Sequence, residues 1–212
     1  MILLLLQCLL FSSKIKSMKD YKDIIAFHGH SCPGLALGFR AAIAALKNMD
    51  MKDISEDEEL VAIVENDSCA VDAIQAITGC TFGKGNLIFR DYGKQVYTFI
   101  KRPSGDAVRI AIDFAPSEEA EEEKMMWQKY SQGDRSDDVL KIVHDRKAKK
   151  IKAILEAKDS ELLKITKMKL HPPEEARIYQ SIRCAICSEK AAEPKARVKE
   201  GKIVCIPCFE KK

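Results

Sequence analysis

Two pairs of cysteines near the C-terminus impose the strongest constraint on how this chain can fold. Cys184 and Cys187 form one C-x-x-C pair, and Cys205 and Cys208 form a second pair after seventeen intervening residues. Pairs at this spacing can place four thiolates tetrahedrally around one zinc ion, which predicts a structural zinc site. A segment this small buries too little apolar surface to fold alone, so we expect the metal to stabilise it. The alternative, four unligated thiols, fits the spacing poorly.

Cysteine usage and composition limit the compartment and the partners. The chain has 212 residues and eight cysteines, and half of these cysteines lie in the C-x-x-C pairs. Such pairs favour metal binding in a reducing compartment, so we predict a cytoplasmic protein. A hydrophobic content of 46% is enough for a core. A net charge of +3, few aromatic residues and the lack of a dense arginine cluster argue against a nucleic-acid partner.

The first eleven residues are almost wholly apolar. They are too few for a transmembrane helix, and they lack the positive n-region and small-residue cleavage site of a signal peptide. We therefore expect translation to start at Met18, with residues 1–17 a non-native extension, and we expect no membrane attachment.

Apolar patterning predicts an α+β fold with a mainly antiparallel sheet and packed helices. Helices are expected over 35–48 and 69–78, strands over 60–65, 87–90, 96–101 and 108–114, and a hairpin turn at 91–94. We assign the α+β core domain to 18–116, a helical extension of this core to 117–170, and a linker with the small zinc-ribbon-like domain to 171–212.

Two imidazoles and one thiol lie within five residues near the start of the core domain. His28, His30 and Cys32 precede a Pro33-Gly34 pair. Neutral imidazole and thiolate are preferred ligands of zinc and similar metals. Pro33 fits the first turn of a helix, whose partial positive end would favour a thiolate at Cys32. The alternative is a tight turn with incidental histidines.

A second element able to bind metal is predicted at Cys69, between a strand and a helix. Together with His28, His30 and Cys32, it could form an open site for a second transition metal, either zinc, nickel or iron. Spacing alone leaves Cys69 evenly balanced between an inert buried thiol and a functional one.

A glycine-rich loop over 79–86 carries Lys84. It is not a P-loop, because Gly85 stands where that motif requires serine or threonine. We interpret it as a turn that lets Lys84 reach a pocket, with Lys94 on the next turn. Cys69, Lys84 and Lys94 are therefore the predicted catalytic residues, and the lysines would bind an anionic group.

These motifs occur in an order that resembles a known family. The ordered set is His28-Gly-His30-x-Cys32-Pro-Gly-x-x-x-Gly38, Asp67-x-Cys69-x-x-Asp72-x-Ile74-Gln75, Gly79-Cys80-Thr81-x-Gly83-Lys84-Gly85-Asn86 and Asp91-x-Gly93-Lys94, followed by the four-cysteine ribbon. This set resembles the FmdE family, the E-type subunits of formylmethanofuran dehydrogenase, in a two-domain archaeal or bacterial form.

The resemblance implies an α+β core, a zinc-ribbon-like C-terminal domain and a homodimer. It also implies that the His/Cys loop, Cys69 and the Lys84 loop converge on a metal-binding cleft. The family is named after a molybdenum or tungsten enzyme that reduces carbon dioxide onto methanofuran. No motif here would hold a pterin-bound molybdenum or an iron–sulfur cluster, so a role in that enzyme would be that of an accessory subunit in an oxidoreductase complex.

Two functions remain open on the sequence. One is a metal-dependent enzyme or enzyme subunit of one-carbon or redox metabolism. The other is a non-enzymatic metal- or partner-binding module, a metal carrier or regulator, that docks through its zinc ribbon.

Overall fold

The computed structural model describes residues 19–51, 58–115 and 119–211. The expected extension over 1–17 lies outside these residues. Within them, no helix combines the length and the apolar character needed to cross a membrane. The chain divides into two compact units between Glu174 and Glu175.

The first unit contains six helices and five strands within the described residues. Its helices are α1 (Tyr21–His28), α2 (Pro33–Asn48), α3 (Ala70–Thr78), α4 (Glu121–Ser131), α5 (Asp137–Glu156) and α6 (Asp159–Leu162). Its strands are β1 (Leu60–Val64), β2 (Leu87–Phe89), β3 (Val96–Lys101), β4 (Asp106–Ile112) and β5 (Leu163–Lys169). The second unit contains β6 (Ser181–Arg183), β7 (Lys190–Ala192), a 3-10 turn (Glu193–Lys195), β8 (Ala196–Lys199), β9 (Lys202–Cys205) and α7 (Ile206–Glu210).

The five strands of the first unit form one mixed sheet in the order β2-β1-β3-β4-β5. Only the β1–β2 pair is parallel, whereas β1–β3, β3–β4 and β4–β5 are antiparallel. The predicted α+β class with a mainly antiparallel sheet is therefore confirmed.

The hairpin turn predicted at 91–94 is wrong. This segment joins β2 to β3, yet β1 lies between these two strands, with Ala62 aligned to Leu87 on one side and to Phe99 on the other. All five residues of β1 are buried, as expected of a central strand with a neighbour on each edge. Gly93, with a φ of 65°, marks a change of chain direction. The local sequence does not determine which strands pair.

The helical extension predicted over 117–170 is wrong over its last part, where β5 pairs with β4 at the sheet edge. Leu163 and Ile165 alternate with Lys164 and Thr166, which is the period of a strand with one face on the core. Its lysines suit an edge strand, because charge discourages pairing with a further strand.

The main core lies between the sheet and the helices. Alternate residues of β1 point to its two faces, so Leu60, Ala62 and Val64 pack against the helices while Val61 and Ile63 belong to a smaller cluster. Arg40 of α2 fixes the end of α5, because its guanidinium donates to the carbonyl of Ala157 at 2.6 Å and pairs with Asp159 at 2.8 Å. These contacts join α2, which has Cys32 at its start, to the end of α5.

Candidate metal centre

Helix α1 ends at the first histidine of the motif. Asp20 caps the start of α1 by accepting the backbone N–H groups of Lys22 and Asp23. Gly29 ends the helix with a φ of 93°, a left-handed conformation that glycine adopts without steric cost. His28 therefore occupies the last helical position, and the chain can reverse at once towards α2.

Cys32 lies at the N-cap of α2, and Pro33 is the first helical residue, as the sequence predicted. The Cys32 Sγ accepts the backbone N–H of Leu35 at 3.3 Å. This hydrogen bond fixes the Cys32 sulfur at the N-terminal end of α2. The hydroxyl groups of Tyr21 and Ser31 lie 3.1 Å apart and fix the loop between the two helices.

A close crossing of α2 and α3 brings Cys69 beside Cys32. Gly38 lies against the backbone of Ala70, and a Cβ added at Gly38 would overlap the Ala70 carbonyl oxygen. One turn earlier, a Cβ at Gly34 would meet the Cβ of Cys69 at 3.4 Å. The two glycines therefore allow the helix backbones to approach so closely that their N-terminal cysteines meet.

All four residues predicted for the second metal site come together. His28, His30, Cys32 and Cys69 each offer one ligand atom, and these atoms lie within 4.8 Å of one another. The two imidazole rings contact each other with their centroids 4.4 Å apart. Two imidazoles and two thiols suit zinc and other borderline metals. That these residues hold a metal stays a prediction.

Asp72 orients His28 and was not among the predicted site residues. Its Oδ2 lies 2.7 Å from His28 Nδ1, and the His28 side chain is only 9% exposed. A carboxylate on one ring nitrogen fixes the tautomer and leaves the other nitrogen free for a metal, as in many histidine metal sites. His28 Nε2 indeed faces the cluster, 4.0 Å from Cys32 Sγ.

The two thiols of the cluster influence each other. Burial raises the pKa of Cys69, and the hydrogen bond and the charge of Cys32 raise it further. Two adjacent thiolates repel, so the pair retains a proton unless a cation neutralises it. A dication would remove this obstacle, which is consistent with a metal-binding role.

We expect Asp72→Asn to weaken the core metal about 10–100-fold, because the amide removes the negative charge that holds His28 in its metal-binding tautomer. Chelator competition with metal analysis measures the effect, and the four-cysteine zinc should be unaffected. Asp91→Asn is the matched control, since Asp91 is an exposed carboxylate outside both the cluster and the cavity lining. Equal core-metal affinity in the wild type and Asp72→Asn would contradict the assigned role.

A cavity of about 400 Å³ opens beside the cluster, and His28 and Cys69 both line it. The remaining lining residues come from the carboxyl end of β1 and the loop after it, from the start of α3, and from β2 and the loop before it. This is the edge where ligands bind in sheets with parallel strands. A metal on the four residues would therefore be accessible to a small molecule.

Lys84 and Lys94 are not among the residues that line this cavity in the described part of the chain. The backbone N–H of Lys84 donates to Thr81 Oγ1 at 3.3 Å. The Lys94 carbonyl accepts from the Asn66 amide at 2.6 Å. The structure thus assigns both lysines a place in loop structure, and their catalytic role stays a prediction.

Two other polar residues of the glycine-rich loop are structural. Cys80 is fully buried and its thiol donates to the Leu60 carbonyl at 3.2 Å. Burial raises the pKa of Cys80 to about 11, so this thiol is inert at neutral pH. The Asn86 side chain donates to the same carbonyl and accepts the Thr81 N–H, which anchors the loop to β1.

The second unit brings its four cysteines together between two short hairpins, β6–β7 and β8–β9. The sulfur atoms of Cys184, Cys187, Cys205 and Cys208 lie within 4.8 Å of one another, and those of Cys187 and Cys205 are 3.7 Å apart. This is the closed four-thiolate arrangement of a structural zinc site.

Backbone N–H groups donate to the sulfur atoms of this cluster and change their pKa values. The N–H groups of Cys187 and Cys205 lower the pKa of Cys184 to about 6. At Cys187 the N–H of Glu189 acts in the same direction, but burial and the three neighbouring thiols prevail and raise the pKa to about 12. The Cys184 thiolate therefore forms readily, whereas Cys187 needs a bound cation to lose its proton.

Each of the two units matches a known protein family in sequence. Residues 27–164 match the family described as FmdE, molybdenum formylmethanofuran dehydrogenase operon. Residues 177–212 match the prokaryotic dksA/traR C4-type zinc finger. The second match covers all four cysteines of the C-terminal cluster, so the predicted zinc-ribbon-like domain is confirmed.

Two individual proteins are similar over most of the chain. A protein of Archaeoglobus fulgidus named "Probable S-adenosyl-L-methionine-binding protein" is 30% identical over an alignment of 197 positions, which covers 86% of this chain and 50% of that protein. The chain thus spans about half the length of this curated relative. A crystal structure of a tungsten formylmethanofuran dehydrogenase FmdE-like protein from Syntrophus aciditrophicus superposes with a TM-score of 0.59 at 26% identity, covering 91% of this chain and 93% of that one. With the FmdE match extending over more than half of its length, the chain belongs to the FmdE family and carries a C4-type zinc finger at its C-terminus.

Proposed function

We propose that this chain is a metal-dependent enzyme, or a subunit of one, in one-carbon or redox metabolism. The observation that carries the proposal is the convergence of His28, His30, Cys32 and Cys69 to within 4.8 Å, beside an open cavity. Structural zinc sites are closed, whereas catalytic sites leave room for substrate.

The residues around the cluster have distinct parts in this proposal. Cys32 and Cys69 would hold the metal through their sulfur atoms at two helix N-termini. His28 binds through Nε2 because Asp72 holds its Nδ1. When bound, zinc, nickel or iron supplies a positive charge that polarises a small substrate or acidifies a water. The cavity would admit that substrate to the metal.

We propose that the protein is a homodimer and that it can serve an oxidoreductase complex as an accessory subunit, both on the family resemblance. Binding of an anionic substrate group by Lys84 or Lys94 also stays a prediction. We place the protein in the cytoplasm because its six metal-binding thiols need a reducing compartment.

Metal content tests the proposal. The purified full-length chain should contain two metals, and Cys69→Ser and His30→Ala should each reduce this to one, because each removes a ligand of the core site only. Elemental analysis per chain is the measurement. His171→Ala and Cys80→Ser serve as matched controls and should retain two metals, since neither residue is in a cluster. One metal in the wild type, or two in both site variants, would refute the proposal.

A second candidate is a non-enzymatic binding module, and the name of the A. fulgidus relative favours it. Under this alternative the core cleft binds a small molecule, such as S-adenosyl-L-methionine, and releases it unchanged. The zinc finger would then connect ligand binding to a protein partner. If the two-metal protein converts a bound ligand into a product, it is an enzyme. If it releases the ligand unchanged, it is a binding module.

A further inference from the structure

The cavity beside the metal cluster is lined by residues of two contrasting kinds. Four are apolar, namely Val71, Phe82, Leu87 and Phe89. Two are carboxylates, Asp67 and Asp72. A ligand that satisfies both kinds must have an apolar body and a polar group of suitable charge.

Two of the apolar residues that line the cavity are exposed phenylalanines. Phe82 is 78% exposed and Phe89 is 47% exposed. Single exposed apolar residues are common on protein surfaces, but two aromatic rings lining one cavity form a patch that a ligand can cover. Aromatic faces favour flat rings and also attract cations.

The carboxylates that line the cavity differ in what they contact. Asp67 is exposed and makes no hydrogen bond or ion pair within the described residues. Asp72 keeps one oxygen on His28 and accepts the Gln75 amide with the other. No lysine or arginine is among the described residues that line the cavity. The local field therefore favours a cation, which is opposite to the anionic group expected from Lys84 and Lys94.

The neutral polar residues of the lining are already occupied. The Asn66 amide donates to the Lys94 carbonyl and to the Tyr97 hydroxyl. Its oxygen accepts both the N–H and the hydroxyl of Ser68. These groups shape the wall but have little hydrogen-bonding capacity left. Asp67 thus remains as the free acceptor for a ligand.

We propose that this cleft binds a small cationic amine with an aromatic or flat apolar body. The ring packs on Phe82 and Phe89, the ammonium group pairs with Asp67, and the remaining end faces His28 and Cys69. This inference rests on the proposed function, because it takes the cleft as the substrate site of the core metal.

A matched pair of ligands tests the sign of the charge. 2-Phenylethylamine and 3-phenylpropionate carry the same ring with opposite charges at pH 7, and butylamine carries the amine without the ring. Calorimetric or ligand-detected NMR titration of the zinc-loaded full-length chain should show the aromatic amine binding about tenfold more tightly than either of the other compounds. Equal or tighter binding of the carboxylate, or of butylamine, would overturn the inference.

Two variants test the contacts. Asp67→Asn should weaken the amine about three- to fivefold, and Phe82→Ala about fivefold or more, since one removes the ion pair and the other the ring contact. Asp91→Asn, an exposed acid outside the lining, is the control and should bind as the wild type does. Unchanged affinity in both test variants would also overturn the inference.

Metal analysis of the same samples separates this inference from the proposed function. A chain with two metals that does not prefer the aromatic amine refutes the ligand class and leaves the metal cleft intact. A chain without the core metal refutes the proposed function itself, and the ligand inference falls with it.

Discussion

Removal of zinc should unfold the C-terminal unit while leaving the first unit folded. The buried residues of this unit are Cys184, Val204, Cys205 and Cys208, with Ala191 packed against them. The ligands themselves thus form most of its core, and the larger apolar side chains nearby are exposed. Without metal, burial of one valine cannot offset the entropy of ordering the chain.

Zinc binding by four-thiolate peptides contributes on the order of 10 kcal/mol at neutral pH, which is more than any other single term available to this unit. A chelator, or Cys205→Ser, should therefore make residues 175–211 fully sensitive to limited proteolysis. The helical circular dichroism of the first unit should remain. Cys80→Ser is the control, since it removes a buried thiol that is outside both clusters. Continued protease resistance of the C-terminal unit after zinc removal would show that packing alone stabilises it.

Gly38→Ala should have the largest effect of any single methyl group added to the first unit. The new Cβ would overlap the Ala70 carbonyl oxygen, which belongs to the backbone and cannot rotate away. Overpacking typically costs about 1–3 kcal/mol, and a backbone clash lies at the upper end of that range. Separation of α2 from α3 would also move Cys32 away from Cys69, so we expect loss of the core metal.

Urea unfolding and metal analysis together measure this effect. Gly83→Ala is the matched control, because a Cβ there meets nothing within 4 Å. It should change neither the free energy of unfolding nor the metal content by a detectable amount. If Gly38→Ala matched this control, the close crossing of α2 and α3 would not be what positions the two cysteines.

The parts of the fold that could be predicted from sequence are those set by local chemistry. The four-cysteine cluster follows from two short spacings, and Pro33 marks the start of α2 because proline suits a first helical turn. Cys69 could be assigned to the start of a helix because a short apolar run typical of a buried strand precedes it and a helical pattern of apolar residues follows it. Its meeting with Cys32 was implied by the family resemblance, because it depends on how two helices cross.

The errors concern long-range pairing. Residues 91–94 carry turn signals, but pairing of β1 with both β2 and β3 depends on the burial of the whole β1 strand. The lysine-rich stretch of β5 has a strand period over only a few residues, and its pairing with β4 decides its structure. Asp72 was missed as a positioning residue although a signal was present. It follows Cys69 by three residues, so it lies on the same face of α3.

The four residues of the core cluster differ in how firmly they are held. Cys32 and Cys69 stand at the ends of rigid helices, and His28 is fixed by Asp72. His30 is exposed, and its ring lies against the ring of His28. A metal bound here would meet three side chains already in place and would have to order only the fourth, so His30 would carry most of the conformational entropy cost of binding.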